Sequence, residues 1–132
     1  MFDINFKVLP LSMDASVKNH QVISQNMANF STPNYKRKYI SFDDELKRAL
    51  GNSDQLKLKT NNQKHINNTP YLENVQAKIL EDDSKSLRND GNNVDIDTEN
   101  SLMIQNALNY SSQSRLMTYA IQRYDTVLRG VK

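Results

Sequence analysis

Two narrow apolar stripes, one at each end of the chain, dominate its hydrophobic pattern. Near the N-terminus, Phe2, Phe6, Leu9, Met13, Ser16, His20, Ile23, Met27 and Phe30 recur at spacings of four and three, and seven of the nine are apolar. Near the C-terminus, Ile96, Asn100, Met103, Ala107, Tyr110, Ser114, Met117, Ile121, Tyr124, Leu128 and Val131 keep the same rhythm, nine of eleven being apolar. That spacing is a heptad seam, the thin stripe of a helix that pairs with another helix. Pro10 has no N–H and crowds the carbonyl four residues back, so it fits best in a first helical turn. The first helix is therefore expected over about Leu9–Asn29, with residues 1–8 a turn or a kinked extension. The last helix is expected over Asp97–Arg129. Asp90-Gly91-Asn92-Asn93 makes a turn ahead of it, Asp95 or Asp97 is its candidate N-cap, and Gly130 is a candidate C′ residue.

Between the seams the pattern thins. Ser41-Phe42-Asp43-Asp44 followed by Leu46, Ala49, Leu50 and Gly51 predicts a short helix with Ser41 as N-cap. Gln55–Thr60 alternates like a short extended stretch, and 61–69 is polar loop. Pro70–Leu80 places Leu72, Val75 and Ile79 at helical spacing, which predicts a second short helix. Glu81–Asn93 reads as a linker. The chain thus divides into an N-terminal helix and turn (1–34), an irregular middle (35–93) and a C-terminal helix (94–132). The expected fold is all-α, a coiled-coil hairpin of the two end helices with a small irregular insert holding at most a short β segment.

Composition narrows the function. With 132 residues and 37% of them hydrophobic, one small core is possible and a large one is not. The net charge of +2 offers no basic stripe for nucleic acid, since Lys36-Arg37-Lys38 is a single run followed by Asp43-Asp44-Glu45. The absence of cysteine excludes disulfides, zinc–thiolate sites and a thiol nucleophile. His20 and His65 have no acidic partner at ligand spacing, and the three glycines are isolated, so no phosphate-cradling loop is present. No enzyme, cofactor, metal or small-molecule ligand is expected. The N-terminus lacks a basic region followed by a long apolar core, so an export route without a cleaved signal is expected if the chain leaves the cytoplasm. Lys36-Arg37-Lys38 is read as a solvated flank of the preceding turn, and His20 as half-buried against a neighbouring helix.

The firmest local signal is the end of the first helix. Pro33 pushes Thr32 out of the helical region. Pro33-Asn34 then suits the centre of a β-turn, because Asn tolerates the positive φ that a type II turn needs there. The stretch containing Asn26, Ala28, Asn29, Thr32, Pro33, Asn34 and Tyr35 resembles the helix-closing motif of bacterial flagellar rod, hook and hook-associated proteins. Asn34 stands where that family usually has Gly. Gly91, Asn92, Val94, Asp95, Ile96, Asp97 and Glu99 are similar to the segment that leads into the last helix of flagellar basal body rod proteins of the proximal rod. The middle third matches poorly.

The resemblance implies a structural subunit that is exported unfolded by the flagellar type III system. It would polymerise into a helical tube that transmits torque and would be located in the periplasmic rod of the basal body. Implied partners are copies of itself, other rod proteins, and the membrane-ring adaptor and export-gate proteins. The competing reading is a cytoplasmic coiled-coil adaptor or export chaperone.

Overall fold

A computed structural model describes residues 4–51, 75–84, 86 and 88–130. The stretch expected at 55–60, the loop at 61–69, and seam residues Phe2 and Val131 lie outside the described residues. The elements are α1 (Ile4–Ala28), β1 (Lys38–Ser41), α2 (Asp43–Gly51), β2 (Lys78–Glu81) and α3 (Ile96–Arg129). The protein is mostly helical. Its long first and last helices lie against each other, and a small two-stranded unit comes from the middle of the chain.

Three expectations are corrected. Helix α1 begins by Ile4 rather than Leu9 and runs through Pro10. Packing of Val8 and Leu11 on the core sustains the helix on both sides of the proline, which itself has no N–H to donate. The helix expected over Pro70–Leu80 is replaced, where it is described, by β2. Lys78–Glu81 pairs antiparallel with Lys38–Ser41, with Tyr39 opposite Leu80 and Ile40 opposite Ile79. Its apolar residues suit either period, and the waiting edge of β1 decides for the strand. Finally, α2 starts one residue later than expected. The Leu46 N–H donates to the Phe42 carbonyl (2.9 Å), so Phe42 is the capping residue, and the Ser41 hydroxyl donates to Asp44 instead (3.4 Å).

The apolar core is small. Ala15, Phe42 and Val75 form its centre, with Val8, Leu11, Ile40, Leu46, Ala49 and Ala77 packed around them. Phe42 joins β1 to α2 at this point, so the core glues the middle unit to α1. Val22, Ile23 and Val94 are buried separately, near the far end of the hairpin.

Along α1 the buried positions are Ala15, Ser16, Val22, Ile23 and Asn26. That stripe keeps a seven-residue repeat, Ala15 with Val22 and Ser16 with Ile23, so it takes in two positions of the expected seam and shifts toward the side of Ala15, Val22 and Asn26. Ile23 is buried, and Leu9, Met13, Met27 and Phe30 are half-buried. His20 is exposed, contrary to the expectation that it faces a neighbouring helix within the fold.

Candidate assembly surface and its anchoring junction

The chain reversal after α1 is built from its own polar groups. Asn29 N–H donates to the Gln25 carbonyl (3.1 Å), and the Asn29 side-chain amide donates to the same carbonyl (2.8 Å), closing the last helical turn. Thr32 N–H donates to the Asn29 carbonyl, and Tyr35 N–H to the Thr32 carbonyl across Pro33-Asn34. Asn34 sits at φ 59, the left-handed region that this turn demands. Ala28 and Pro33 are exposed.

The segment before α3 clasps this turn. Asn92 is fully buried, and its amide donates to the carbonyls of Asn29 (2.9 Å), Phe30 (3.1 Å) and Thr32 (2.9 Å). Its side-chain oxygen accepts from Val94 N–H (2.8 Å), and Asn34 N–H donates to the Asp90 carbonyl (2.8 Å). Gly91 is at φ +75, and a Cβ there would lie 2.7 Å from Asn34 Oδ1, so conformation and space both require glycine. Arg88 lies over the Phe30 ring at 4.7 Å and pairs with Asp90 at 2.6 Å. The two stretches that resemble the flagellar motifs are therefore bound to each other.

Behind the clasp lies a buried ionic junction. Glu99 has 0% exposure, and so does Asn26. Arg37 Nε donates to Glu99 Oε1 at 2.6 Å, and Asn26 Nδ2 donates to Glu99 Oε2 at 3.1 Å. The same Asn26 amide donates to the Lys38 carbonyl (2.7 Å), while its oxygen accepts from Lys38 N–H (2.9 Å) and the Tyr35 hydroxyl (3.3 Å). Asn26 thus acts as an extra strand partner for β1 rather than a cap of its own helix. Burial, reinforced by Glu81 and Glu99, holds the Tyr35 hydroxyl above its ordinary pKa.

Arg37 N–H donates to Asn93 Oδ1 (2.7 Å), Lys36 reaches the Gly91 carbonyl (3.0 Å) and Lys38 pairs with Glu81 (3.9 Å). The basic run read as a solvated flank is thus half-buried and partnered. The hydrogen bonds from Ser84 and the charge of Arg37 hold the Asp82 carboxyl below its usual range. Among the described residues, no buried side-chain polar atom lacks a partner.

Helix α3 is capped by Asp95 alone. Its carboxylate accepts from Asp97 N–H (3.1 Å) and the Thr98 hydroxyl (2.7 Å), which keeps its pKa below the ordinary carboxylate value. Asp97 lies in the first turn, where it favours the helix dipole and does not cap. Gly130 ends the helix at φ −78, so it does not adopt the left-handed C′ conformation expected of it.

The inner face of α3 was the least legible part. Glu99, Asn106 and Gln113 recur every seven residues and face α1 through hydrogen bonds, where apolar seam residues were expected. At the open end, Phe6 meets Tyr124 edge to face at 5.4 Å. Ile96, Met103 and Met117 are half-buried, whereas Ala107, Tyr110, Ile121, Tyr124 and Leu128 are exposed. Ile104, Leu108 and Tyr119 lie roughly opposite the polar face at about 100° per residue. They are 62–64% exposed, with Leu116 and Val127 beside them. Sequence reasoning passed over Asn106 and Gln113, and it read Arg37 only as a solvated flank and Asn93 only as part of a turn. The available signal was the number of asparagines at the chain's two turns, which need each other's carbonyls.

Among the described residues there is no group of three or more potential metal ligands, and no helix is long and apolar enough to cross a membrane. A polar inner seam on a long helix that leaves Ile104, Leu108, Leu116, Tyr119, Ile121, Val127 and Leu128 exposed marks a helical structural subunit. No family model matches the chain. It is 34% identical to the flagellar basal body rod protein FlgB of Borreliella burgdorferi over 122 residues, covering 89% of this chain and 90% of that protein. The FlgB of Borrelia hermsii is 33% identical over 98% of both chains, and that of Bacillus subtilis is 33% identical over 85% of this chain and 83% of its own length. The chain belongs to the flagellar basal body rod protein FlgB family. It is accordingly a structural protein of the rod and not an enzyme.

Proposed function

We propose that this chain is exported unfolded through the flagellar type III apparatus and folds fully only as it packs into the proximal rod. It assembles there with other rod subunits. The finer contacts proposed are with copies of itself, with the membrane-ring adaptor and with the export gate. The two end helices act as one helical core, and the middle region as an arm upon it. The observation that carries this reading is the exposure of the apolar residues of α3 from Ile104 to Leu128, in a family member aligned over nearly its whole length.

A lone helix with one narrow apolar seam is marginal in water, and the small core adds little. Side-by-side packing buries those residues, so ordering is coupled to assembly. Head-to-tail contacts that do not close generate a helical filament, and many parallel helix contacts give it the stiffness to transmit torque. The helix-closing residues Asn26, Asn29, Thr32, Pro33, Asn34 and Tyr35 act in this scheme by fixing where the hairpin turns.

Sedimentation and circular dichroism of the purified chain, with tomography of basal bodies from cells lacking it, test the proposal. A weakly helical monomer and a missing proximal rod are expected. A stable, protease-resistant dimer in cells whose rods are intact would overturn it in favour of a cytoplasmic adaptor or export chaperone.

A further inference from the structure

The seam between α1 and α3 carries two amide clusters that the rod reading does not use. Asn106 is buried, donates to the Ser16 carbonyl at 2.9 Å and accepts from the Asn19 amide at 3.2 Å. One heptad later, Gln113 donates to the Ser12 hydroxyl at 2.8 Å and accepts from the Ser16 hydroxyl at 3.1 Å. Both carboxamides therefore use a donor and an acceptor, each matched to a different group of α1. Ser16 serves both, through its backbone carbonyl and its hydroxyl.

We infer that Asn106 and Gln113 are register-specifying residues: with Ser12, Ser16 and Asn19 they select one antiparallel alignment of α1 on α3. Apolar heptad residues cannot do this alone. A slide of one heptad presents one methionine or tyrosine where another stood, at little cost. A buried carboxamide is less forgiving, because it loses free energy whenever its donor or acceptor is left unpaired. Single buried amides set register in coiled coils on the same principle. Here a slide that brought Met117 opposite Phe6 would carry Leu9 to the place of Ser16, where it keeps a carbonyl for Asn106 but has no hydroxyl for Gln113, and would carry Ser12 to the place of Asn19.

The absence of cysteine makes the register directly readable. One form of the full chain carries Phe6→Cys with Tyr124→Cys, the in-register pair. A second carries Phe6→Cys with Met117→Cys, the pair brought together by a one-heptad slide. Each is made with the native seam and with a seam carrying Asn19→Leu, Asn106→Leu and Gln113→Leu. Replacing Asn19 and Asn106 together leaves neither amide unmatched.

A short thiol-reactive bifunctional reagent, which reaches between cysteines too far apart for a direct disulfide, is applied in sucrose, which favours burial. The native seam is expected to crosslink the in-register pair at least tenfold more than the slipped pair, and the leucine seam to crosslink both to similar extents. In-register product alone from the leucine seam would overturn the inference and assign register to the Asn26–Glu99 junction. No product from either leucine form would also overturn it, making the amides a condition of pairing rather than of register. The native seam failing to crosslink in register would do the same. The measurement needs no flagellum, so it stands or falls separately from the proposed function.

Discussion

The two ends of the hairpin are built on opposite plans. At the junction end, where α1 turns and α3 begins, polar groups are buried and partnered: Asn26, Asn92 and Glu99 are shut away from water and fully hydrogen-bonded. At the open end, every residue from Ile121 to Gly130 is exposed, and Leu128 keeps 76% of its surface in water. The first end is finished by its own described residues, while the second leaves apolar side chains in water, which the proposed assembly would cover. The contrast separates two jobs that one helix performs along its length. Its start fixes geometry, and its remainder supplies adhesion.

The largest effect on a single chain should come from Glu99→Ala. It leaves the part-exposed Arg37 with only its longer contact to Asp82 (3.7 Å) and the Asn26 amide with only the Lys38 carbonyl, so the cost is about 3 kcal/mol, the low end for a buried ion pair broken on one side. A denaturant titration followed by helicity, run in sucrose so that the wild-type chain starts folded, should show the variant's midpoint clearly lowered. A midpoint within error of wild type would show that the junction is not what holds this end. Gly91→Ala comes next, at about 1–3 kcal/mol, since it forces a side chain into a left-handed backbone and against Asn34. The same titration reads it, and a neutral result would mean the clasp can shift to make room.

Acid should loosen the junction end before the open end. Asp90 and Asp95 have carboxyl pKa values held below the ordinary 3.8, Asp90 chiefly by Arg88 and Asp95 chiefly by Thr98. A lowered folded pKa contributes stability that is present above the unfolded value and lost as pH falls through the folded one. Amide protection at the start of α3, measured against the intrinsic exchange rate, should therefore fall below about pH 4, and Asp95→Asn should flatten that part of the profile. Leu128→Ser should change the lone chain least, within about 0.5 kcal/mol, because the residue is already in water. It should nevertheless lower incorporation into the rod, measured by immunoblot of purified basal bodies. Normal incorporation would remove the open end from the assembly surface.

The ends of elements were easier to read than their buried faces. Pro33 and Asn34 stop α1 because backbone constraints act locally, and Asp95 caps α3 with its own neighbours. Both signals need only a few adjacent residues. The inner face of α3 needed knowledge of its partner. Counting apolar positions favoured Met103, Tyr110 and Met117, whereas Glu99 and Asn106 are buried because Arg37, Asn26, Asn19 and Ser16 wait opposite. The strand at Lys78–Glu81 was hidden for the same reason, since its pairing edge lies far away in sequence. Pro10 misled in the other direction. A local penalty was outweighed by packing on either side.

The edge-to-face meeting of Phe6 with Tyr124 places the first turns of α1 beside the last turns of α3. A fluorescent label near Phe6 and one near Tyr124 therefore report on the same place in the molecule, and exchanging one site for the other changes little. Side chains on the water-facing strand Lys78–Glu81 are the better handle for imaging.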